Sequence, residues 1–400
     1  MDAHTTGDRP ADGAPAAAMP RIVIAPDSFK GSATARQIAD AIAAGLRQAF
    51  EGVHPAPLLL TLPLADGGEG TLDVMRDAAE MTVHRAPTTD ALGRPTTARF
   101  GISADGRTGV VEAAEAHGLP AVRDLAPRPL AAGTRGVGTI LRAVLDAGVE
   151  EIILCIGGSA STDGGAGLLQ ALGARLTDPE GRDLGPGGGP LTALHDLDLR
   201  GLHPRLGDVR WRVACDVTNP LLGPAGAAAV YSPQKGADAG DAAVLEAGLA
   251  RLADALAGVA GRDVRDLPGI GAAGGLALPL VALFGARLEP GRRVVAEALG
   301  APALLATADV VITGEGRLDA QSLVGKVVTG VRELTPAGVP VIVLAGEVAL
   351  TPIELRRAGI TAAFSIARGP ATLDAMRRGV LTDVTATAFS VGALLARPGG

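Results

Sequence analysis

The chain has 400 residues, enough for two or three domains with a sizeable core. Hydrophobic residues make up 47% and charged residues 20%, a globular balance, while aromatics are only 2%, so aliphatic side chains must fill the interior. The 56 glycines and 28 prolines fall in short motifs without a period, which excludes collagen, coiled coil and wholesale disorder; a formal charge of −7 with no basic run argues against a nucleic-acid partner.

Residues 1–20 carry neither an apolar core nor a basic cluster and read as a disordered extension, not a signal peptide or anchor. Arg21–Ala25 reads as a strand, followed by a helix that Ser32 would cap and in which Ile38, Ile42, Leu46 and Phe50 recur every four residues. A second strand at Leu58–Leu62 and a helix at Thr71–Ala79 repeat the unit, the start of a parallel α/β layer. Strand-like runs at Thr96–Ile102 and Gly109–Glu112, separated by the turn signals LGRP and ADGR, predict hairpins. A helix over Thr134–Ala147 ends at Gly148, a strand follows at Ile152–Ile156, 178–190 reads as a surface loop, and Ala242–Gly258 as a helix. Asp309–Thr313 and Pro340–Ala345 are predicted buried strands flanking a helix that carries Val324, Val327, Val328 and Val331. The expected fold class is α/β with two domains and a cleft between them. A Rossmann-like parallel-sheet domain is built from both chain ends (21–85 and 290–400), with an α/β domain inserted at 86–289; a plain tandem is the alternative. Cys155 and Cys215 sit in apolar contexts and read as small buried hydrophobes. With no run approaching the ~18 apolar residues of a membrane span, the expected location is cytoplasmic, with no membrane partner.

Five apolar strands run into loops rich in Gly, Asp and small hydroxyl residues, at 24–32, 63–71, 155–167, 214–223 and 312–322. In open α/β sheets strand C-termini face the ligand crevice, where glycines let backbone N–H groups approach an anion. One such loop is ordinary turn chemistry; five, each with an acid, point to a site. The acids are Asp27, Asp66, Glu69, Asp163, Asp216, Glu315 and Asp319, a set that suits Mg²⁺ before softer metals, with Asp319 the most like a helix cap. Lys30, Lys235 and Lys326 are the only lysines, and each stands beside glycine, which suits a phosphate role; Arg135 and Arg317 are candidates for a small carboxylate or phosphate. There is no P-loop, the GIGAAG at 269–274 follows no apolar strand, Ser159 is not in a hydrolase elbow, and the six histidines have no metal spacing. Anion cradles, lysines and carboxylates without an activated nucleophile suit phosphoryl transfer between small molecules.

The stretches APDSFKGS, PLADGGEGT, GTRGVG, GGSASTDGGAGLLQALGA, CDVTNPLLGPAGAAAVYSPQKGA, GAAGGLA, ITGEGRLDAQSLVGK and PVIVLAGEV, in this order from about residue 21 to about 390, resemble the type 1 glycerate kinase family. Thr162, Val328 and Ala277 depart from that family's usual Asn, Pro and Gly, and none of these changes removes an acid or a lysine. The resemblance implies phosphorylation of D-glycerate by ATP, with Mg²⁺, to ADP and 2-phosphoglycerate. It places Lys30, Lys235, Lys326, Gly67, Gly68, Gly157 and Gly158 at the ATP phosphates, and Ser28, Arg135, Ser159, Thr162 and Arg317 at glycerate. Asp66, Asp216 and Glu315 are then candidates for Mg²⁺ or for the base, and a homodimer is left open. A Mg²⁺-dependent phosphatase and a non-catalytic glycerate or nucleotide sensor are the alternatives.

Overall fold

A computed structural model describes residues 19–68, 70–323 and 326–396. The expected N-terminal extension up to residue 18, Glu69 and Val324 therefore lie outside the described residues. The strands in chain order are β1 (Arg21–Ile24), β2 (Leu58–Thr61), β3 (Thr82–Thr89), β4 (Pro95–Ile102), β5 (Thr108–Glu112), β6 (Glu151–Cys155), β7 (Arg175–Thr177), β8 (Asp196–Asp198), β9 (Arg210–Ala214), β10 (Arg287–Glu289), β11 (Val310–Leu318), β12 (Val341–Val348) and β13 (Ala362–Ser365).

Two sheets dominate. One is five-stranded and wholly parallel, in the order β13-β12-β11-β1-β2, so its strands come from both chain ends. Alternation splits its side chains between two apolar layers. Ile22, Ile24, Ile312 and Leu344 face the helices Ala35–Ala49 and Leu373–Leu395, while Val23, Val311 and Val341 face Gly291–Ala298, Ala301–Leu305 and Val327–Leu334. The two long helices pack closely because Gly45 faces the partner backbone: a Cβ there would lie 2.2 Å from the Thr385 carbonyl.

The second sheet, β10-β9-β6-β5-β4-β3, is parallel from β10 to β5 and ends in the antiparallel hairpins read from LGRP and ADGR. Its main core packs the helices Arg135–Asp146 and Ala239–Ala260, with Trp211 buried among aliphatics. Its other face meets the Thr71–Ala78 and Gly291–Ala298 helices through Val110, Ile153, Leu72, Met75, Val294 and Val295. The Gly291–Ala298 helix thus touches both sheets, and the chain passes between them twice at one place. There Gly67 and Gly291 are in contact: a Cβ on Gly291 would lie 2.1 Å from the Asp66 carbonyl oxygen.

Local details depart from the sequence expectation. The first helix is capped by Thr34, not Ser32, through a capping box with Gln37. Strand β11 does not stop at Thr313 but runs on through Gly314, Glu315, Gly316 and Arg317, whose backbone pairs with β12; what reads as a loop is a strand end. Among the described residues no helix is long and apolar enough to cross a membrane.

Candidate active site

The loops after β1, β2, β6 and β9, with the end of β11, converge on one cleft of two adjoining cavities. The first, about 480 Å³, opens between β1 and β11, where strand order reverses: β1 continues to β2 on one side and β11 to β12 on the other. That is the position at which open α/β sheets bind ligands. Its polar side carries Asp27, Lys30, Glu315 and Lys326, and its apolar wall is Phe29, Ile366, Leu373, Met376 and Val380. The second, about 520 Å³, lies at the C-terminal ends of β6 and β9 and is lined by Gly67, Gly68, Gly157, Gly158, Ser159, Asp216 and Lys235. Lys30 and Asp66 belong to both, joined by an ion pair of 3.6 Å.

Each acid at the cleft is set by its loop. Asp66 accepts from the Gly68 amide at 2.9 Å, an Asx turn that bends the 66–68 backbone around the junction. Asp27, tied to the end of β11 by its amide to the Gly314 carbonyl, is 8% exposed; burial, reinforced by Asp66, raises its pKa to about 7. Glu315 is 5% exposed and is also raised by burial; Oε2 faces the Lys326 ammonium at 3.4 Å, while Oε1 is buried with no hydrogen-bond partner among the described residues. Asp216 accepts from the Gly291 amide at 2.8 Å, the first residue of a helix that touches both sheets; burial raises its pKa to about 6. Lys235, 5% exposed, donates to Ser159 Oγ at 3.0 Å and the Ser161 carbonyl at 2.5 Å, and burial lowers its pKa to about 7.

Most expected site residues meet at this cleft, with Ser28 and Arg317 on the first cavity; Arg317 faces Asp319 at 3.4 Å and Glu347 at 3.5 Å. Two do not. Arg135 starts a helix whose buried face is Val137, Ile140, Leu141 and Val144, so it points outward into a separate cavity beside Asp90 and Gly187. Thr162 is buried, wedged where Gly188 and Gly274 press on its backbone, and is not on the cleft wall. Asp163 is spent internally, accepting from Thr134 N and Oγ1 and from the Gly165 and Gly167 amides. Asp319 caps the turn at Ala320–Leu323 through the Gln321 amide, as its position suggests. Cys155 is buried as expected, but Cys215 is only partly buried and lies on the second cavity. Sequence reasoning misses Arg377 and Arg123, which stand in no glycine motif, and it treats His117 as unremarkable although it is 1% exposed and bonds Ser161 Oγ at 2.9 Å.

Two α/β units bring acids, lysines and glycine-rich turns together at their strand ends, and the comparisons with known proteins give the class: a phosphotransferase with an alcohol acceptor. The family model described as the glycerate kinase family matches residues 22–396, and this chain belongs to that family. It is 45% identical over 355 residues to the glycerate kinase of Bacillus subtilis (strain 168), covering 88% of this chain and 92% of the relative. It is 42% identical over 377 residues to the glycerate 2-kinase of Escherichia coli (strain K12), covering 94% and 98%. A crystal structure from Salmonella typhimurium LT2, named as a candidate glycerate kinase 2, superposes with a TM-score of 0.86 at 44% identity, covering 94% of this chain and 98% of its own.

Proposed function

We propose that the protein is a type 1 glycerate kinase of the cytoplasm that transfers the γ-phosphoryl group of ATP to the 2-hydroxyl of D-glycerate, giving 2-phosphoglycerate and ADP. The observation that carries the reading is the pair of adjoining cavities that share Lys30 and Asp66. The first has an apolar wall that suits a nucleotide base and sugar, with Lys30, Lys326 and Arg317 for phosphates. The second gathers glycine backbone at Gly67, Gly68, Gly157 and Gly158 with the Ser159 hydroxyl and the Lys235 ammonium, groups that suit the hydroxyls and carboxylate of a short hydroxy acid. At the junction Lys30 and the Gly67 amide meet the transferring phosphoryl group, on a turn that the Gly68 amide holds through Asp66, with Gly157 and Gly158 facing it from the other sheet.

The residues fit Mg²⁺. Among the described residues no three acids gather as a preformed cage, but Glu315, on the lining of the first cavity, has a buried carboxylate oxygen without a hydrogen-bond partner among the described residues. Mg²⁺ is commonly held by one or two carboxylates plus substrate phosphates, so Glu315 and Asp66 would hold it, and it would neutralise phosphate charge. Asp216 spends one oxygen on Gly291 and keeps the other to accept the hydroxyl proton. Ser28 and Ser159 supply hydrogen bonds to the ligands at the two cavities. A homodimer is carried with this reading and is checked by light scattering.

An ADP-release assay with D-glycerate, Mg²⁺ and ATP tests it. A Mg²⁺-dependent phosphatase would release phosphate from the product without ADP, and a sensor would turn over neither. Coupling to enolase reads the regiochemistry: a signal that appears only after mutase is added would mean 3-phosphoglycerate and overturn the 2-hydroxyl assignment.

A further inference from the structure

Lys235 is an unusual lysine. It is 5% exposed, lines the second cavity, and both of its hydrogen-bond partners, Ser159 Oγ and the Ser161 carbonyl, are neutral. No carboxylate among the described residues lies within ion-pair distance of it. The nearest buried acid to act on it is Asp163, whose carboxylate already takes four hydrogen bonds from Thr134, Gly165 and Gly167. The other ionisable group packed against this point is His117, which burial holds neutral, its pKa lowered to about 3; it bonds Ser161 Oγ through Nδ1, while Nε2 has no partner among the described residues. On the cavity side the charged groups are Arg123, Lys30, Asp66 and Asp216. A buried ammonium costs several kcal/mol unless an anion accompanies it.

We propose that Lys235 takes the substrate's carboxylate, not a nucleotide phosphate, and so is the residue that makes this kinase select a hydroxy acid over a neutral polyol. The inference rests on the assignment of the second cavity to the hydroxy acid and reassigns a lysine that sequence places at ATP. Its neutral partners hold the ammonium without neutralising it. The charge it lacks is then supplied by the ligand, and a neutral analogue such as glyceramide leaves it unpaired.

The test is steady-state kinetics of Lys235→Met, which keeps the length of the side chain and removes the charge. The wild-type protein should phosphorylate D-glycerate with a KM at least about 30-fold below that for glyceramide. In the variant the KM for D-glycerate should rise about 30–100-fold, that for ATP should stay within about 3-fold, and discrimination against glyceramide should vanish. An ATP KM that rises while the glycerate KM holds would place Lys235 at the nucleotide and overturn the inference, as would no change in either. Should the variant not fold, titration calorimetry of the wild type with D-glycerate in two buffers of different ionisation enthalpy decides. Net proton uptake at pH 8 is expected, because an anion recruits the ammonium form, and none overturns the proposal. A wild type without any D-glycerate turnover would instead remove the kinase reading itself, an outcome distinct from unchanged KM values in an active pair.

Discussion

At the level of single residues, the acids of the cleft differ in what they are free to do. Asp27 carries a buried carboxyl with Asp66 and Glu315 near by, and its pKa stands near 7 against an ordinary 3.8. A folded-state pKa raised above the unfolded value means that the group's contribution to stability is full below about pH 4 and is lost as pH rises through 7. Asp27→Asn removes that loss while keeping an oxygen to accept from the Ser28 amide. The variant should therefore melt higher than the wild type at pH 8, with the gap shrinking toward pH 5, each kcal/mol appearing as about 2–4 °C. A gap independent of pH would show that Asp27 is not the titrating group. Amide substitutions at the other acids sort their roles. Asp216→Asn keeps the Gly291 contact but cannot take a proton, so kcat should fall by ~10²–10⁴-fold with a modest KM change. Glu315→Gln should instead raise the Mg²⁺ requirement, with excess Mg²⁺ restoring part of the rate. Asp319→Asn should do neither, as a turn cap.

Secondary-structure elements show where sequence reading is strong and where it stops. Strands and helices that carry their own period, such as Ile38, Ile42 and Leu46 on Ala35–Ala49, stand where they are expected, because burial of one face is written in local spacing. The glycine-acid turns at 63–71 and 155–167 are equally local and lead to the cleft. What spacing cannot express is pairing and direction. Gly314 and Gly316 look like punctuation, yet β12 pairs with that backbone and holds it extended. Arg135 sits in a motif but its helix rolls it away from the cleft, whereas Arg377 sits in none and arrives at the first cavity on a helix far along the chain. Caps follow the same rule: Thr34 competes with Ser32 and wins because Gln37 completes the box. Thr34→Ala should cost about 1 kcal/mol, measurable by denaturant titration, with kcat unchanged.

For the molecule as a whole, the glycines at the crossing matter most. Gly291 lies so close to the Asp66 carbonyl that any side chain must push the two sheet units apart. Gly291→Ala should lower the melting temperature and reduce kcat/KM with glycerate by about tenfold or more, since the two cavities share Lys30 and Asp66 at that crossing. Mg-ATP and D-glycerate together, each near 100 times its dissociation constant, should stabilise the wild type by about 2.7 kcal/mol or more, read as a melting shift on the order of 5–10 °C. The same ligands should shift Gly291→Ala less. A sheet with strands from both chain ends is legible in the order of β and α signals, but the contact of the two crossings is not. It joins residues more than two hundred positions apart, and neither Gly67 nor Gly291 looks different from a turn glycine.

The same long separation governs how the protein is made. The Arg21 amide at the start of β1 donates to Asp309, 288 residues downstream, and β1 is central to its sheet only once β11 is there to pair with it. At a synthesis rate of about 5–20 residues per second, β1 waits roughly 15–60 s on the ribosome for its neighbour. Every strand from β3 to β10 emerges in that interval, so the six-stranded sheet can finish while Arg21–Ile24 and Leu58–Thr61 still show apolar edges. The order of synthesis therefore separates β1 and β2 from β11, the strand that makes β1 central to its sheet.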